Sequence, residues 1–130
     1  MSIKIIQIDD DFINNMANER LLKKMGVDFT SKSFLDPTEA LDYLAGTSET
    51  YDLMLLDINM PRINGWEFLE LYKDINKHMP IIMLTSSLDP NDQKRAKNSK
   101  LLTGFFIKPL SKDMMFEIFE LCKIEPTMIG

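Results

Sequence analysis

The sequence predicts an α/β fold in which five short strands alternate with five helices to build a doubly wound parallel sheet. Two observations predict it. Short apolar or β-branched runs alternate with helix-spaced segments along almost the whole chain. Two of those runs, Leu53-Met54-Leu55-Leu56 and Pro80-Ile81-Ile82-Met83-Leu84, are apolar on both alternating faces, as strands covered by helices on both sides must be.

Ile3 to Ile8 is short and mostly β-branched, so it predicts the first strand, ending in Asp9-Asp10-Asp11. Ile13, Ala17, Leu21 and Met25 follow at helical spacing, and Gly26 stops that helix. Val27 to Phe34 carries Thr30, Ser31, Lys32 and Ser33, a polarity that suits an exposed edge strand. Asp36-Pro37-Thr38-Glu39 combines a cap with proline in the first turn and opens a helix through Leu44 that Gly46 ends. The apolar strand at Leu53 is followed by a helix from Gly65 to about Lys77, carrying Trp66, Leu69, Tyr72 and Ile75. After the strand at Pro80, Asp89-Pro90-Asn91-Asp92 begins a helix that is polar almost throughout; between Asn91 and Lys100 only Ala96 is apolar. Gly104 to Ile107 is the fifth strand. Lys112 to Cys122 is the last helix, with Met115, Phe119 and Cys122 on one side, and Glu125 to Gly130 is a short tail.

Five βα units predict a mainly parallel sheet with helices on both faces. Right-handed crossovers leave few arrangements. The flavodoxin-like (βα)5 order 2-1-3-4-5 puts the polar second strand at an edge and the apolar third strand inside. In such a sheet ligands bind outside the carboxyl ends of the strands, beside the switch point between the first and third.

The totals narrow the possibilities. At 130 residues, 45% hydrophobic and 27% charged, the chain fits one domain spanning 1–130, with no repeat and no linker. A net charge of -5 argues against a nucleic-acid groove; the basic stretch Lys94-Arg95-Ala96-Lys97 reads as a solvated helix face. The single cysteine, Cys122, excludes an internal disulfide and reads as a small buried hydrophobe. No apolar run approaches about 18 residues, so no membrane insertion is expected. The start enters a strand at once, without room for a signal peptide, so a cytoplasmic location is expected.

The carboxyl ends carry the chemistry. The first strand ends at Asp9-Asp10, the third at Asp57, the fourth at Thr85-Ser86-Ser87 and the fifth at Lys108-Pro109. The predicted fold brings three carboxylates, a hydroxyl and an ammonium to one crevice. Crowded carboxylates repel one another, and raised pKa values or a bound cation relieve the repulsion. Oxygen ligands in an open, wet crevice suit Mg²⁺ (or Mn²⁺). A carboxylate is also a nucleophile toward phosphorus, and phosphoryl transfer needs mostly positioning and charge neutralisation. Each residue alone has a plainer role, as a turn, a cap or a strand stop. Four strand ends supplying compatible groups point to phosphoryl chemistry.

Ile8-Asp9-Asp10-Asp11, Leu56-Asp57-Ile58-Asn59-Met60-Pro61 with Gly65, Leu84-Thr85-Ser86-Ser87 and Lys108-Pro109-Leu110 resemble the four motifs of response-regulator receiver domains of two-component signalling. The resemblance runs from about Ile3 to Leu121. It implies that Asp57 is the phosphoacceptor. Asp10, Asp57 and the backbone carbonyl of Asn59 would ligate Mg²⁺, with Asp9 acting on the metal through water. Lys108 and Thr85 would hold phosphoryl oxygens. Thr85 and Phe105 would form the switch, Phe105 without the hydroxyl that a tyrosine there would bring. Asn59 and Ser87 would flank the path of the hydrolysing water.

The implied donor is a histidine kinase or histidine phosphotransfer protein, docking near the first helix, where Asn14, Asn15 and Asn18 are expected to offer polar contacts. The downstream effector is not written in the chain. No output domain is expected, and the sequence fits both a free regulator and a receiver cut from a longer regulator or hybrid kinase. Two further readings stand beside it. One is a non-phosphorylated pseudo-receiver acting as a binding module, although acceptor, acidic pair and lysine are all present. The other is a Mg²⁺-dependent phosphatase of the haloacid-dehalogenase type. Asp9 and Asp11 have its spacing, but Phe12 and Ile13 depart from its motif.

Overall fold

In the computed structural model, which describes residues 2–129, the strands are β1 (Ile3–Ile8), β2 (Phe29–Phe34), β3 (Leu53–Asp57), β4 (Ile81–Thr85) and β5 (Gly104–Ile107). The helices are α1 (Phe12–Lys24), α2 (Pro37–Gly46), α3 (Gly65–Tyr72), α4 (Pro90–Asn98) and α5 (Lys112–Leu121). The sheet is parallel in the order β2-β1-β3-β4-β5, so the expected topology holds. Each helix opens on a side chain that accepts a backbone N–H: Asp11, Asp36, Asn64, Asp89 and Ser111.

Strand alternation divides the core in two. Ile3, Ile5, Leu53, Leu55, Ile82 and Leu84 face α1 and α5, meeting Leu22, Met115, Ile118 and Phe119. Ile6, Ile8, Met54, Leu56 and Met83 face the other way, onto Ala40 and Leu44 of α2 and Trp66, Phe68, Leu69 and Tyr72 of α3. Each such fully buried side chain contributes about 1.5–3 kcal/mol relative to exposure. The central strand β3 is buried along its length and β2 is half-exposed, as the sequence predicts.

Four local expectations are corrected. Val27 lies outside β2; it forms an antiparallel bridge with Met128 of the tail. Helix α3 ends at Tyr72 instead of near Lys77. There Asn76 (φ 24°) and His78 (φ 59°) turn the backbone left-handed, and the Tyr72 hydroxyl accepts the Lys77 N–H at 2.8 Å. Helix α5 ends one residue early, and Cys122 is half-buried at its cap against the α1/α5 core. Burial pushes its thiol up to about 11, leaving it protonated and unreactive at neutral pH.

The largest correction concerns α1. The amino-terminal half of the stripe does not face the sheet: Ile13 is 73% exposed and Ala17 is exposed, whereas Asn15 and Asn18 are buried. The carboxyl-terminal half does, with Leu21 packed on the α1/α5 core and Met25 buried in it. The cause is Gln7, a buried amide inside an otherwise apolar strand. Buried amides must be hydrogen-bonded. The Gln7 oxygen accepts from Asn18 Nδ2 at 3.0 Å. Its NH2 donates to the Asn15 carbonyl, Glu19 and Ser33 at 3.3–3.4 Å. Asn15 also donates to the Asp9 carbonyl at 3.2 Å. The first half of α1 is therefore seated on a polar layer and turns apolar residues outward. Asn15 and Asn18 are not the surface contacts expected of them.

Helix α4 buries no residue. Its link to α3 is Trp66, whose indole N–H donates to Asp92 Oδ1 at 3.0 Å while the Arg95 guanidinium lies 4.7 Å from the ring centre. A helix without buried side chains opens at little cost. Amide exchange in α4 is expected to be faster than in α1 or α3. Trp66→Phe, which removes one hydrogen bond of about 1 kcal/mol, should accelerate it roughly fivefold further. Protection of α4 equal to that of α3 would refute this account.

Candidate functional site

The residues singled out at the strand ends converge. Asp9 follows β1, Asp57 closes β3, Thr85 closes β4 and Lys108 follows β5. Carboxylate oxygens of Asp9, Asp10 and Asp57 lie within 4.8 Å of one another. Asp9 and Asp57 are 3% and 4% exposed, while Asp10 is open to solvent. Lys108 Nζ reaches between the two buried acids, 2.7 Å from Asp9 Oδ2 and 3.0 Å from Asp57 Oδ1.

Each position has a local cause. The Asp9 N–H donates to the Phe34 carbonyl at 3.1 Å, extending the β1–β2 ladder to the acid. Asp11 caps α1 by accepting the Ile13 N–H at 3.0 Å. The loop after β3 is pressed onto the Asp57 backbone. The Gly65 N–H donates to the Ile58 carbonyl at 2.7 Å, and a Cβ there would sit 2.6 Å from the Asp57 carbonyl oxygen. Only glycine permits that approach. The Lys108 N–H donates to the Thr85 carbonyl at 2.8 Å, fixing the end of β5 against β4.

Asp9 accepts three hydrogen bonds. Its Oδ1 accepts the Asp11 N–H at 2.8 Å. Its Oδ2 accepts from Lys108 Nζ and from Asn14 Nδ2, both at 2.7 Å. Thr85 is fully buried, and its Oγ accepts the Ser87 N–H at 3.0 Å; its own O–H is still a donor. Asn59 is exposed and Ser87 half-exposed beside the crevice. Phe105 pairs with Met83 and Ile107 with Thr85, so Phe105 lies on the same face of the sheet as Thr85, one pair back. It is half-buried against the α2/α3 core.

The electrostatics follow from this crowding. Burial, and then the Asp9 charge, raise Asp57 to about 6; Lys108 offsets only part of that. Burial pulls Lys108 down, but Asp9 and Asp57 outweigh it and hold the ammonium above its ordinary value. The site thus carries excess negative charge on hard oxygen atoms and is open on the Asp10 side. That donor set fits a small divalent cation such as Mg²⁺.

Sequence reasoning missed Asn14 as a partner of Asp9, and the Gln7 layer below it. The signal for the layer was an amide inside the run Ile3–Ile8. Around the crevice, Phe12, Ile13, Leu35 and Leu88 are 60%, 73%, 49% and 67% exposed. They follow β1, β2 and β4 and so lie at the same end of the sheet as the acids.

Comparison with known proteins agrees with this geometry. A family model described as a response regulator receiver domain matches residues 5–120. The chain is 29% identical over 119 residues to the 3',5'-cyclic-nucleotide phosphodiesterase regA of Dictyostelium discoideum, with 87% of this chain and 14% of that protein covered. It is 27% identical over 126 residues to the osmosensing histidine protein kinase SLN1 of Saccharomyces cerevisiae, covering 93% of this chain and 10% of that protein. The chain thus spans only a small fraction of these relatives' length. A two component response regulator from Cytophaga hutchinsonii superimposes with a TM-score of 0.82 at 27% identity, covering 95% of this chain and 98% of the other. With its motifs at the four strand ends and the family model covering nearly its whole length, the chain belongs to the response regulator receiver domain family.

Proposed function

We propose that Asp57 accepts a phosphoryl group from a histidine kinase or histidine phosphotransfer protein in a Mg²⁺-dependent reaction, and that the resulting charge signals through a shape change. The observation that carries this reading is Lys108 held between two buried carboxylates, with a third carboxylate completing an oxygen cluster. In the transfer, the phosphorus–nitrogen bond of phosphohistidine breaks, its electron pair stays with the imidazole, and an Asp57 Oδ–phosphorus bond forms. Asp57 attacks as the anion. Asp10, Asp57 and the Asn59 carbonyl would hold the ion, with Asp9 reaching it through water. When bound, the ion supplies positive charge beside the transferring phosphoryl group. Lys108 supplies it from the other side, and the Thr85 O–H bonds a product oxygen.

Ile13, Met16 and Ala17 on the outer side of α1, with half-buried Leu21 at their edge, support docking of a donor protein there, with Phe12, Leu35 and Leu88 beside the crevice. This apolar surface replaces the asparagine contacts expected from sequence. Movement of Thr85 toward the phosphoryl group would draw Phe105 inward and shift α4, which is held by no buried residue. The reading applies equally to a free module and to one built into a longer chain. No helix among the described residues is long and apolar enough to cross a membrane.

Incubation with a small phosphodonor and Mg²⁺ should label the protein; Asp57→Asn or a chelator should abolish labelling. Label persisting on Asp57→Asn would favour a different acceptor. Substitution of Asn59 or Ser87 should change the decay of the acyl phosphate several-fold, because both flank the water's approach; unchanged decay in both would remove them from the mechanism.

The raised Asp57 also links stability to pH. A carboxyl raised on folding favours the native state when protonated, so its contribution is full below about pH 4 and is lost as pH rises through about 6. In metal-free protein, Asp57→Asn should therefore be more stable than wild type at pH 7.5, by about 1–3 kcal/mol, with the difference closing toward pH 4. Urea denaturation at both pH values measures it. Equal stability at pH 7.5 would contradict the crowding argument.

A further inference from the structure

We infer that Asn14 is a positioning residue for Lys108, acting through Asp9; the inference rests on the proposed acceptor reaction. Lys108 is divided between Asp9 Oδ2 at 2.7 Å and Asp57 Oδ1 at 3.0 Å, so at rest the ammonium is nearer the acid that does not react. Asn14 Nδ2 donates to that same Asp9 Oδ2 at 2.7 Å, and the other Asp9 oxygen is taken by the Asp11 N–H. An amide oxygen facing the carboxylate would be repelled, so the NH2 end is fixed toward Asp9.

Sharing Oδ2 has two effects. The amide draws charge from the oxygen and weakens its hold on the ammonium, leaving Lys108 available to Asp57. When a phosphoryl group arrives, Lys108 turns from Asp9 toward the phosphoryl oxygens. Asp9 is 3% exposed and water replaces the lost donor poorly. Asn14 remains on Oδ2 and keeps the abandoned carboxylate bonded, so the lysine's departure does not leave a buried charge half-solvated. Asn14 stands on the first turn of α1, above the end of β1, and the Gln7 layer that seats Asn15 and Asn18 sets the helix rotation that aims it.

Asn14→Leu removes the donor with little change of size, and Asn14→Gln keeps an NH2 group on a longer arm. A small donor, phosphoramidate, is used because it does not dock on the surface of α1 as a protein donor would. Three quantities are measured on the whole chain: the phosphorylation rate at saturating Mg²⁺, the Mg²⁺ dissociation constant by calorimetry, and the melting temperature. In Asn14→Leu the rate should fall about tenfold, the loss expected for one hydrogen bond to a charged group. Mg²⁺ affinity should change less than threefold, since Asn14 contacts none of Asp10, Asp57 and Asn59, and melting should fall by only the few degrees that one hydrogen bond is worth. Asn14→Gln should recover most of the rate. An unchanged rate in Asn14→Leu overturns the inference. So does a rate loss matched by equal loss of Mg²⁺ affinity or by a large drop in melting temperature, or no recovery in Asn14→Gln. Failure of the wild type to be labelled would instead overturn the acceptor reaction, and this inference with it.

Discussion

The carboxyl end of the sheet is organised by one constraint: two buried carboxylates share a single ammonium. Asp9 and Asp57 come from adjacent strands and cannot both be ionised at low cost without a counter-charge. Lys108 supplies it from the far strand β5, across β4. The close approach of Gly65 fixes the loop above Asp57, and the Thr85 carbonyl fixes the backbone of Lys108. The charge balance at rest is incomplete. That excess of negative charge on oxygen atoms suits a small divalent cation.

The fold was legible because its signals are local and redundant. The both-face apolarity of β3 and β4, the polarity of β2 and the proline-containing caps at Asp36 and Asp89 each marked an element that the structure contains. The four strand-end groups were legible for a different reason: once strand order is known, topology alone gathers them. What stayed hidden depends on single side chains. The spacing of Ile13, Ala17, Leu21 and Met25 marked an apolar stripe on α1, and Leu21 and Met25 do pack on the core, but one buried glutamine turned the first half of the helix so that Ile13 and Ala17 face out. An unbonded amide in the core costs about 1–3 kcal/mol, comparable with burying one aliphatic side chain. The end of α3 was equally invisible, because it is set by left-handed residues and a tyrosine hydroxyl instead of a glycine or proline.

The two faces of the molecule differ in how firmly they are built. Helices α2, α3 and α5 are anchored by aromatic and aliphatic side chains. Helix α4 is held by the Trp66 indole and the half-buried Ala96, and the first half of α1 stands on amides while Leu22 anchors the second. The loosely held helix lies on the side of the proposed Thr85 and Phe105 switch, and the helix with the amide-seated first half lies where the proposed donor would dock. Rigidity is thus placed under the chemistry and mobility away from it.

The inside-out seating of α1 has a consequence for how such a module can diversify. In most surface helices the apolar stripe belongs to the core, so a change of partner risks the fold. Here the outward residues Ile13 and Ala17 are exposed, while Gln7, Asn15 and Asn18 seat the first half of the helix and Leu22 the second. Mutational drift at the outward positions can re-specify recognition at little folding cost, so duplicated copies of this domain have an inexpensive route to insulation from one another's donors.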